Sequence, residues 1–206
     1  NDYPTNEQNE IKKHTGLIIA FNLFNTTNYT DDELNSALDI VLKSDFDMIG
    51  FADTHGHLNL YKDIFRYEYF LHRIIQSDKK TCFHLHNHTG KAYMNYIKCL
   101  ESKYVNFCDT SIMSLGKGAG NLKLEDVLHD DESLLLNKFI DKYYNSLFKK
   151  TVSPYFMVTG RYGITDHYAV QSMKLGISMN KFIKFCSTVK GLDRDNFDKK
   201  LLEEYI

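Results

Sequence analysis

The histidine-rich segment His84-Leu85-His86-Asn87-His88 is the part of the sequence best suited to chemistry. It overlaps the end of an apolar run, Thr81–Leu85, that is typical of a buried β-strand. Side chains alternate along a strand, so His84 and His86 should leave the same face. Two imidazoles on one face can converge on a divalent cation. Two hydrogen-bonded structural histidines would show the same spacing, so the motif alone leaves both possibilities open.

Two other polar segments also follow apolar runs. Asp53-Thr54-His55-Gly56-His57 comes after Phe46–Ala52, and Asp109–Asn121 (DTSIMSLGKGAGN) comes after Tyr104–Cys108. Asp53 either faces a substrate or anchors neighbouring backbone amides. The glycines near the end of the second segment allow the backbone to approach a ligand closely, although a plain turn has the same composition. Active sites of parallel α/β folds form at the carboxyl ends of strands, so the three segments are predicted to share one site.

The elements that must position these segments alternate between strand and helix. Strands are predicted at 17–24, 46–52, 81–85 and 104–108. A capping box, Thr30 to Glu33, starts the first intervening helix, and 92–102 is the last. The strands are nearly continuous apolar runs, which predicts a parallel sheet covered on both faces. The strand starts lie roughly 23 to 35 residues apart, close to the repeat of a (β/α)8 TIM barrel.

After Gly120 the pattern becomes helical. Leu136, Phe139, Ile140, Tyr143 and Leu147 mark one long amphipathic helix, and helical periodicity returns at 167–175, 179–189 and 196–205. We therefore predict an α/β fold in two regions. Residues 1–131 form a partial TIM barrel, and residues 132–206 form a helical C-terminal extension.

The composition excludes several classes of protein. The 206 residues are 43% hydrophobic and 25% charged, which is ordinary for a globular chain. A formal net charge of −2 offers no basic field for nucleic acid. No stretch reaches the roughly 18 apolar residues of a membrane span, and the N-terminal residues do not resemble a signal peptide. The four cysteines form no CxxC pair, so we expect reduced thiols in a cytoplasmic protein.

The three polar segments together resemble a known family. FHLHNHTGKA (83–92), DTSIMSLGKGAGN (109–121) and GFADTHG (50–56) occur in the order and at the spacing of motifs in the DRE-TIM metallolyases. That family includes 4-hydroxy-2-oxovalerate aldolase, HMG-CoA lyase and the isopropylmalate and homocitrate synthases. The resemblance covers about residues 16–128 and is strongest to the aldolase branch. GRYGITDHYAVQSM (160–173) is similar, more weakly, to a segment that follows the barrel in that branch.

The resemblance implies a metal-dependent carbon–carbon lyase. It would cleave or form a 4-hydroxy-2-oxo acid through an enolate stabilised by Mn²⁺, Mg²⁺ or Zn²⁺. A small 2-oxo acid is the implied substrate class. The residues that it assigns fall into three sets. The implied metal ligands are His84, His86 and Asn121; the substrate-binding residues are Asn25, Thr54, Gly118 and Asn121; the catalytic residues are Tyr168, His167 and Asp53.

The sequence also departs from this family. The Asp-Arg-Glu motif of the family's first strand, which supplies a metal ligand and an arginine, has no counterpart here. The run Leu17–Phe24 matches the fifth strand, so only strands five to eight are predicted. His88 stands where the family has Asn or Asp. Half a barrel leaves two open sheet edges, so we expect a homo-oligomer or association with a complementary chain.

Two alternatives remain open on the sequence alone. An inactive or partner-dependent half-barrel would bind metal weakly and form a stable complex. A TatD-like metal-dependent hydrolase is the other, because DTHGHL (53–58) resembles the first-strand motif of those enzymes. In that case the metal ligands would be His55 and His57. The position of a bound metal distinguishes the aldolase hypothesis from the hydrolase hypothesis.

Overall fold

Four parallel strands form one sheet in the order β1-β2-β3-β4, as the strand–helix alternation predicts. The computed structural model describes residues 10, 12, 14–147 and 153–205, without the side chains of 130, 131, 134 and 144–147. The strands are β1 (Ala20–Leu23), β2 (Met48–Ala52), β3 (Lys80–His84) and β4 (Phe107–Asp109). The helices between them are α1 (Asp31–Val41), α2 (Leu60–Gln76) and α3 (Ala92–Glu101). This is the architecture of a partial TIM-barrel-like domain.

Two strand boundaries differ from the predicted ones in ways that matter for the site. β4 starts at Phe107 rather than at residue 104, because side chains replace the ladder there: the Thr81 amide donates to Asn106 Oδ1 at 2.9 Å, and the Asn106 amide donates to Thr81 Oγ1 at 3.1 Å. β3 ends at His84, so His86 lies beyond the strand, in an isolated bridge with Asn121.

The two faces of the sheet are different. Helices α1–α3 cover one face, where Ile49, Phe51 and Phe83 are completely buried. The opposite face carries small and polar residues in register across the strands: Asn22, Gly50, Cys82, His84 and Asp109. Gly50 is required there, because a Cβ would lie 1.9 Å from Asn22 Oδ1.

The polar face is covered only in part: Ala52 and Cys82 at its centre are buried. At the two edges of the polar face, Ala20 and Phe107 are exposed. The continuous apolar appearance of the strands comes from the helix-facing residues and from small residues, such as Ala52, that fill the opposite face.

The capping box predicts the start of α1 correctly. Thr30 Oγ1 accepts from the Glu33 amide at 3.3 Å, and the Glu33 carboxylate accepts from the Thr30 amide at 2.8 Å. Leu34, Leu38 and Val41 then face the core. Of the four cysteines, all unpaired, Cys82, Cys99 and Cys186 are buried as expected.

Helices dominate the remainder of the chain, as predicted. They are α4 (Asp130–Leu147), α5 (Pro154–Tyr162), α6 (His167–Lys174), α7 (Met179–Thr188) and α8 (Lys199–Tyr205). The last four enclose a second core around Tyr168, Phe182 and Phe185. The periodicity anticipates α4, α6, α7 and α8, whereas α5 is an addition. No helix in the described ranges is long and apolar enough to cross a membrane. The division at residues 131 and 132 stays a prediction.

Candidate functional site

The His84 and His86 rings lie side by side at the carboxyl end of β3. Their centroids are 5.0 Å apart and their planes are nearly perpendicular, at 88°. His84 Nδ1 lies 3.0 Å from Asp109 Oδ2, and His86 Nδ1 lies 2.8 Å from the Asp53 carbonyl oxygen. In both rings the Nδ1 atom is therefore engaged, and the Nε2 atom is left for another contact.

The charge states around this pair follow from burial and hydrogen bonding. Burial lowers the pKa of His86 to about 4, so its ring is neutral near pH 7. The hydrogen bond from His84 is the main cause of a lowered pKa at Asp109. A neutral imidazole next to a second imidazole backed by a carboxylate is a common arrangement of metal ligands.

Asp53 links β2 to β3 at the floor of the site. Its amide donates to the His84 carbonyl oxygen at 2.9 Å, and its Oδ1 accepts from the His57 and Leu58 amides at 2.8 and 2.9 Å. Its Oδ2 is buried without a hydrogen-bond partner in the described part of the chain. Burial raises the pKa of Asp53 to about 7, against the lowering effect of those two amides. The anchoring role that its position allows is thus present in the structure, beside one free carboxyl oxygen.

Asn25 and Thr54, predicted to bind substrate, meet at the ends of β1 and β2. The Asn25 amide donates to Thr54 Oγ1 at 2.9 Å, and Asn25 has a positive φ of 54°. Asn25 Oδ1 is buried and has no partner within the described ranges. The two residues hold the loop after β1 against the loop after β2.

The glycine-rich loop brings Asn121 and Gly118 to the same end of the sheet. Asn121 packs on Gly116, where a Cβ would lie 2.3 Å from Asn121 Oδ1. That oxygen is buried and has no hydrogen-bond partner in the region described. Gly118, with φ +59°, lies against His88: a Cβ on it would be 2.0 Å from His88 Nε2. The glycines therefore allow the loop backbone to pack closely against the side chains of His88 and Asn121.

Three glycines from distant parts of the chain surround His88. A Cβ on Gly56 or on Gly160 would come within 2.6 Å of the His88 Cβ, in addition to the contact at Gly118. The ring is 3% exposed, and neither nitrogen has a hydrogen-bond partner in the described residues. Burial lowers its pKa to about 3. His88 is a neutral ring that packs between the sheet and the C-terminal helices.

The C-terminal region covers this end of the sheet, which sequence patterns did not predict. His57 Nδ1 donates to the Gly160 carbonyl oxygen at 2.8 Å, and the buried His55 lies 3.0 Å from Asp195 through its Nε2. Lys117 of the glycine-rich loop pairs with the buried Asp166 at 2.9 Å. No sequence signal identifies Asp166 or Asp195, because each contact depends on a long-range packing arrangement.

His167 and Tyr168, predicted to be catalytic, are not brought to the histidine pair. The Tyr168 hydroxyl donates to the Asn196 carbonyl oxygen at 3.3 Å and accepts from the Asp198 amide at 3.0 Å. Its ring is completely buried against Phe185 and Phe197. His167 is exposed, and its nearest polar contact is Thr165 Oγ1 at 3.5 Å. Tyr168 belongs to the second core, and Asp166, one position before His167, is the residue that contacts the glycine-rich loop through Lys117.

The residues present fit part of a metal site. Two imidazole Nε2 atoms and the orphaned Asn121 oxygen form a donor set that Zn²⁺ or Mn²⁺ accepts. Within the described ranges, no three or more His, Cys, Asp or Glu side chains are grouped to hold a metal ion. The ligand set of His84, His86 and Asn121 therefore stays a prediction. By contrast, His55 and His57, the ligands of the hydrolase alternative, each engage the C-terminal region separately.

The fold and this site define the chain as a partial (β/α) barrel with polar groups at the carboxyl ends of its strands. No protein-family model and no curated protein sequence matches it. Solved structures do match. The N-terminal domain of a proposed aldolase from Bacteroides vulgatus superposes with a TM-score of 0.62 at 18% identity, over 85% of this chain and 60% of that one.

Two further solved structures have the same fold. HMG-CoA lyase from Bacillus subtilis gives a TM-score of 0.51 at 15% identity, over 88% of this chain and 58% of that chain. The carboxyl transferase domain of Rhizobium etli pyruvate carboxylase, with pyruvate and biocytin, gives a TM-score of 0.55 at 13% identity. The match covers 88% of this chain and 35% of that chain. At these identities the likeness shows the fold. The chain spans 60% or less of the length of each of these three structures.

Proposed function

We propose that the chain is the metal-binding part of a carbon–carbon lyase of the aldolase type. The observation that carries the proposal is the adjacent His84 and His86 pair, with both Nδ1 atoms engaged and neither Nε2 atom hydrogen-bonded to another described residue. The fold of the aldolase, lyase and carboxyl transferase structures supports the same class of reaction. Because the chain spans only part of their length, the activity belongs to the whole protein.

The substrate class is taken from the family resemblance. We propose a 4-hydroxy-2-oxo acid, cleaved to a 2-oxo acid and an aldehyde, or formed in the reverse direction. A divalent cation, Mn²⁺, Mg²⁺ or Zn²⁺, supplies Lewis-acid stabilisation of the enolate when bound. The assigned residues would be His84 and His86 as ligands, with the Asn121 amide oxygen beside them.

The neighbouring residues orient this site. Asp109 and the Asp53 carbonyl oxygen keep the Nδ1 proton on each ring, which directs Nε2 toward the cation. Asn25 and Thr54 shape the adjacent loop, and Lys117 and Asp166 fix the glycine-rich loop under the C-terminal helices. The proposal gives no catalytic role to Tyr168 or His167.

Metal titration of the purified protein tests the proposal. Loss of the free Mn²⁺ electron paramagnetic resonance signal should reveal one site, and His84→Ala and His86→Ala should each weaken binding at least tenfold. His14→Ala is the control, because His14 is exposed and precedes β1 at the opposite end of the sheet. Equal binding in all three variants would contradict the assignment.

Activity is the second measurement, made on the full-length protein. Release of a 2-oxo acid from a 4-hydroxy-2-oxo acid should require added metal, stop on chelation and be lost in His84→Ala. Turnover that continues unchanged after metal stripping would overturn the lyase proposal. Absence of both metal binding and turnover would favour the inactive half-barrel instead.

A further inference from the structure

A cavity at the carboxyl ends of β1 and β2 is built from residues other than the histidine pair. Its volume is about 330 Å³, within the range of small-ligand pockets. The loops after β1 and β2 contribute Thr27, His57 and Asn59 to its wall, and the start of α2 and the residue before α3 contribute the remainder. None of the proposed metal ligands lines it.

The charges in this cavity are mostly positive. Lys62, Arg66 and Lys91 line it, against one carboxylate, Asp63. The charge of Arg66 is offset by Asp31, so the two lysines and Asp63 leave a net charge of +1. Arg66 is held in place by Asp31, at 2.6 Å from its Nε, and by the Tyr29 carbonyl oxygen.

Unlike Arg66, the two lysines form no ion pair with a described carboxylate. Neither Lys62 nor Lys91 has an ion pair or a hydrogen bond from its ammonium group within the described part of the chain. Most of the other ion pairs join a lysine or arginine to a carboxylate nearby, as Lys98 joins Glu101 at 2.7 Å. Lys91 also interacts electrostatically with the buried Asp53. Two ammonium groups without a direct ion pair still favour an anion between them.

Neutral donors point to the same ligand chemistry. Thr27 Oγ1 is buried and has no hydrogen-bond partner among the described residues, although it can donate one bond. The 17-residue helix α2 starts at this cavity, and its N-cap residue, Asn59, makes no side-chain cap hydrogen bond. The positive end of the helix dipole and an unused hydroxyl both favour a negatively charged group.

We propose that this cavity binds the phosphate group of a small molecule or free phosphate, in preference to a carboxylate. A phosphate group carries more negative charge than a carboxylate and has more oxygens to accept charge-assisted hydrogen bonds from the two ammonium groups. His57 lines the cavity and its amide donates to Asp53 Oδ1, which ties this wall to the loop after β2. The inference does not depend on the lyase proposal.

Binding of inorganic phosphate to the purified chain, measured by calorimetry with a chelator present, tests this. Lys62→Gln and Lys91→Gln should each weaken binding about tenfold, a change of roughly 1.4 kcal/mol. Lys98→Gln is the matched control on α3, because its ammonium pairs with Glu101, and it should bind as the wild type does. His84→Ala should also leave phosphate binding unchanged, which separates this site from metal binding.

Thr27→Val tests the orphaned hydroxyl separately. It removes no hydrogen bond of the folded chain, so the free energy of unfolding should change little while phosphate binding weakens severalfold. Glycerol phosphate, a phosphate monoester, distinguishes the two sources of the phosphate group. Tighter binding of glycerol phosphate than of phosphate assigns the site to a phosphorylated metabolite, and weaker or equal binding assigns it to free phosphate. Either result supports the proposal. It is overturned if phosphate does not bind, if acetate binds as tightly, or if the two lysine variants bind like the control.

Discussion

At the scale of single residues, the sequence predicts that the two histidines are adjacent but not which atoms hold their rings in place. Strand alternation is local, so the adjacency of His84 and His86 could be predicted from their spacing, although His86 lies just past the strand. The partners of their Nδ1 atoms come from other strands, at separations of 25 and 33 residues. Those partners required the three-dimensional structure.

Gly118 gives a residue-scale prediction about packing. In Gly118→Ala the new Cβ meets His88 Nε2 at 2.0 Å, and φ is +59°. In Gly176→Ala φ is +64° but nothing lies within 4 Å. In both variants the left-handed backbone should lower the free energy of unfolding by about 1–2 kcal/mol. In Gly118→Ala overpacking should lower it by roughly a further 1–3 kcal/mol. Urea unfolding measures the difference, and equal losses would show that His88 moves away freely.

Asp47 gives a pH-dependent prediction at the same scale. Its carboxylate accepts from the Ile19 amide at 2.9 Å and from Lys12 Nζ, and the backbone hydrogen bond is the main cause of its lowered pKa. Because the pKa of Asp47 is lower in the folded state, its carboxylate stabilises the protein at pH values above the unfolded-state pKa of about 3.9. That stabilisation is lost as the pH falls through the folded-state pKa.

The measurement compares unfolding free energies of wild type and Asp47→Asn from neutral to acidic pH. The difference should be constant near pH 7 and should shrink below about pH 4. Asp141→Asn, on exposed α4, should show no such trend. A difference that grows on acidification would contradict the assigned role of Asp47.

At the scale of elements, local patterns gave the helices and strands but not the way they cover the site. The capping box and the apolar positions of α1 act within a few residues, so both could be predicted. The start of β4 could not, because the Thr81–Asn106 side-chain pair that displaces it is a contact between strands. The partners of the Tyr168 hydroxyl, residues near 196–198, could not be predicted for a related reason: no local pattern shows a contact at that separation.

The capping box yields an element-scale prediction. Thr30→Ala removes the acceptor for the Glu33 amide and should lower the free energy of unfolding by about 1 kcal/mol. Thr30→Ser keeps the hydroxyl and should retain most of the stability. Thermal or urea unfolding of both variants measures this, and an equal loss in the two would mean that the methyl group of Thr30, not its hydroxyl, is what stabilises α1.

At the scale of the whole molecule, the sheet has two edge strands, each of which pairs with one neighbouring strand within the described ranges. β1 and β4 are these edges, and Phe107 of β4 is 45% exposed. Unpaired edges with exposed apolar side chains favour association with another chain. This supports the proposal of a homo-oligomer or a complementary chain.

Sedimentation at increasing concentration tests the association. We expect a species larger than the monomer that Phe107→Lys disperses, because a lysine on an edge strand opposes strand pairing. Leu192→Lys, at a residue 78% exposed in the C-terminal region, should leave the association unchanged. A wild type that remains monomeric throughout would contradict it.

The most direct test of the central claim is the position of a bound metal in crystals soaked with Zn²⁺. Anomalous diffraction at the zinc edge should show one peak about 2.0–2.1 Å from both Nε2 atoms of His84 and His86. The same soak of His84→Ala crystals should lose the peak. A peak on His55 and His57, or no peak at the His84–His86 pair in a fully soaked crystal, would contradict the account.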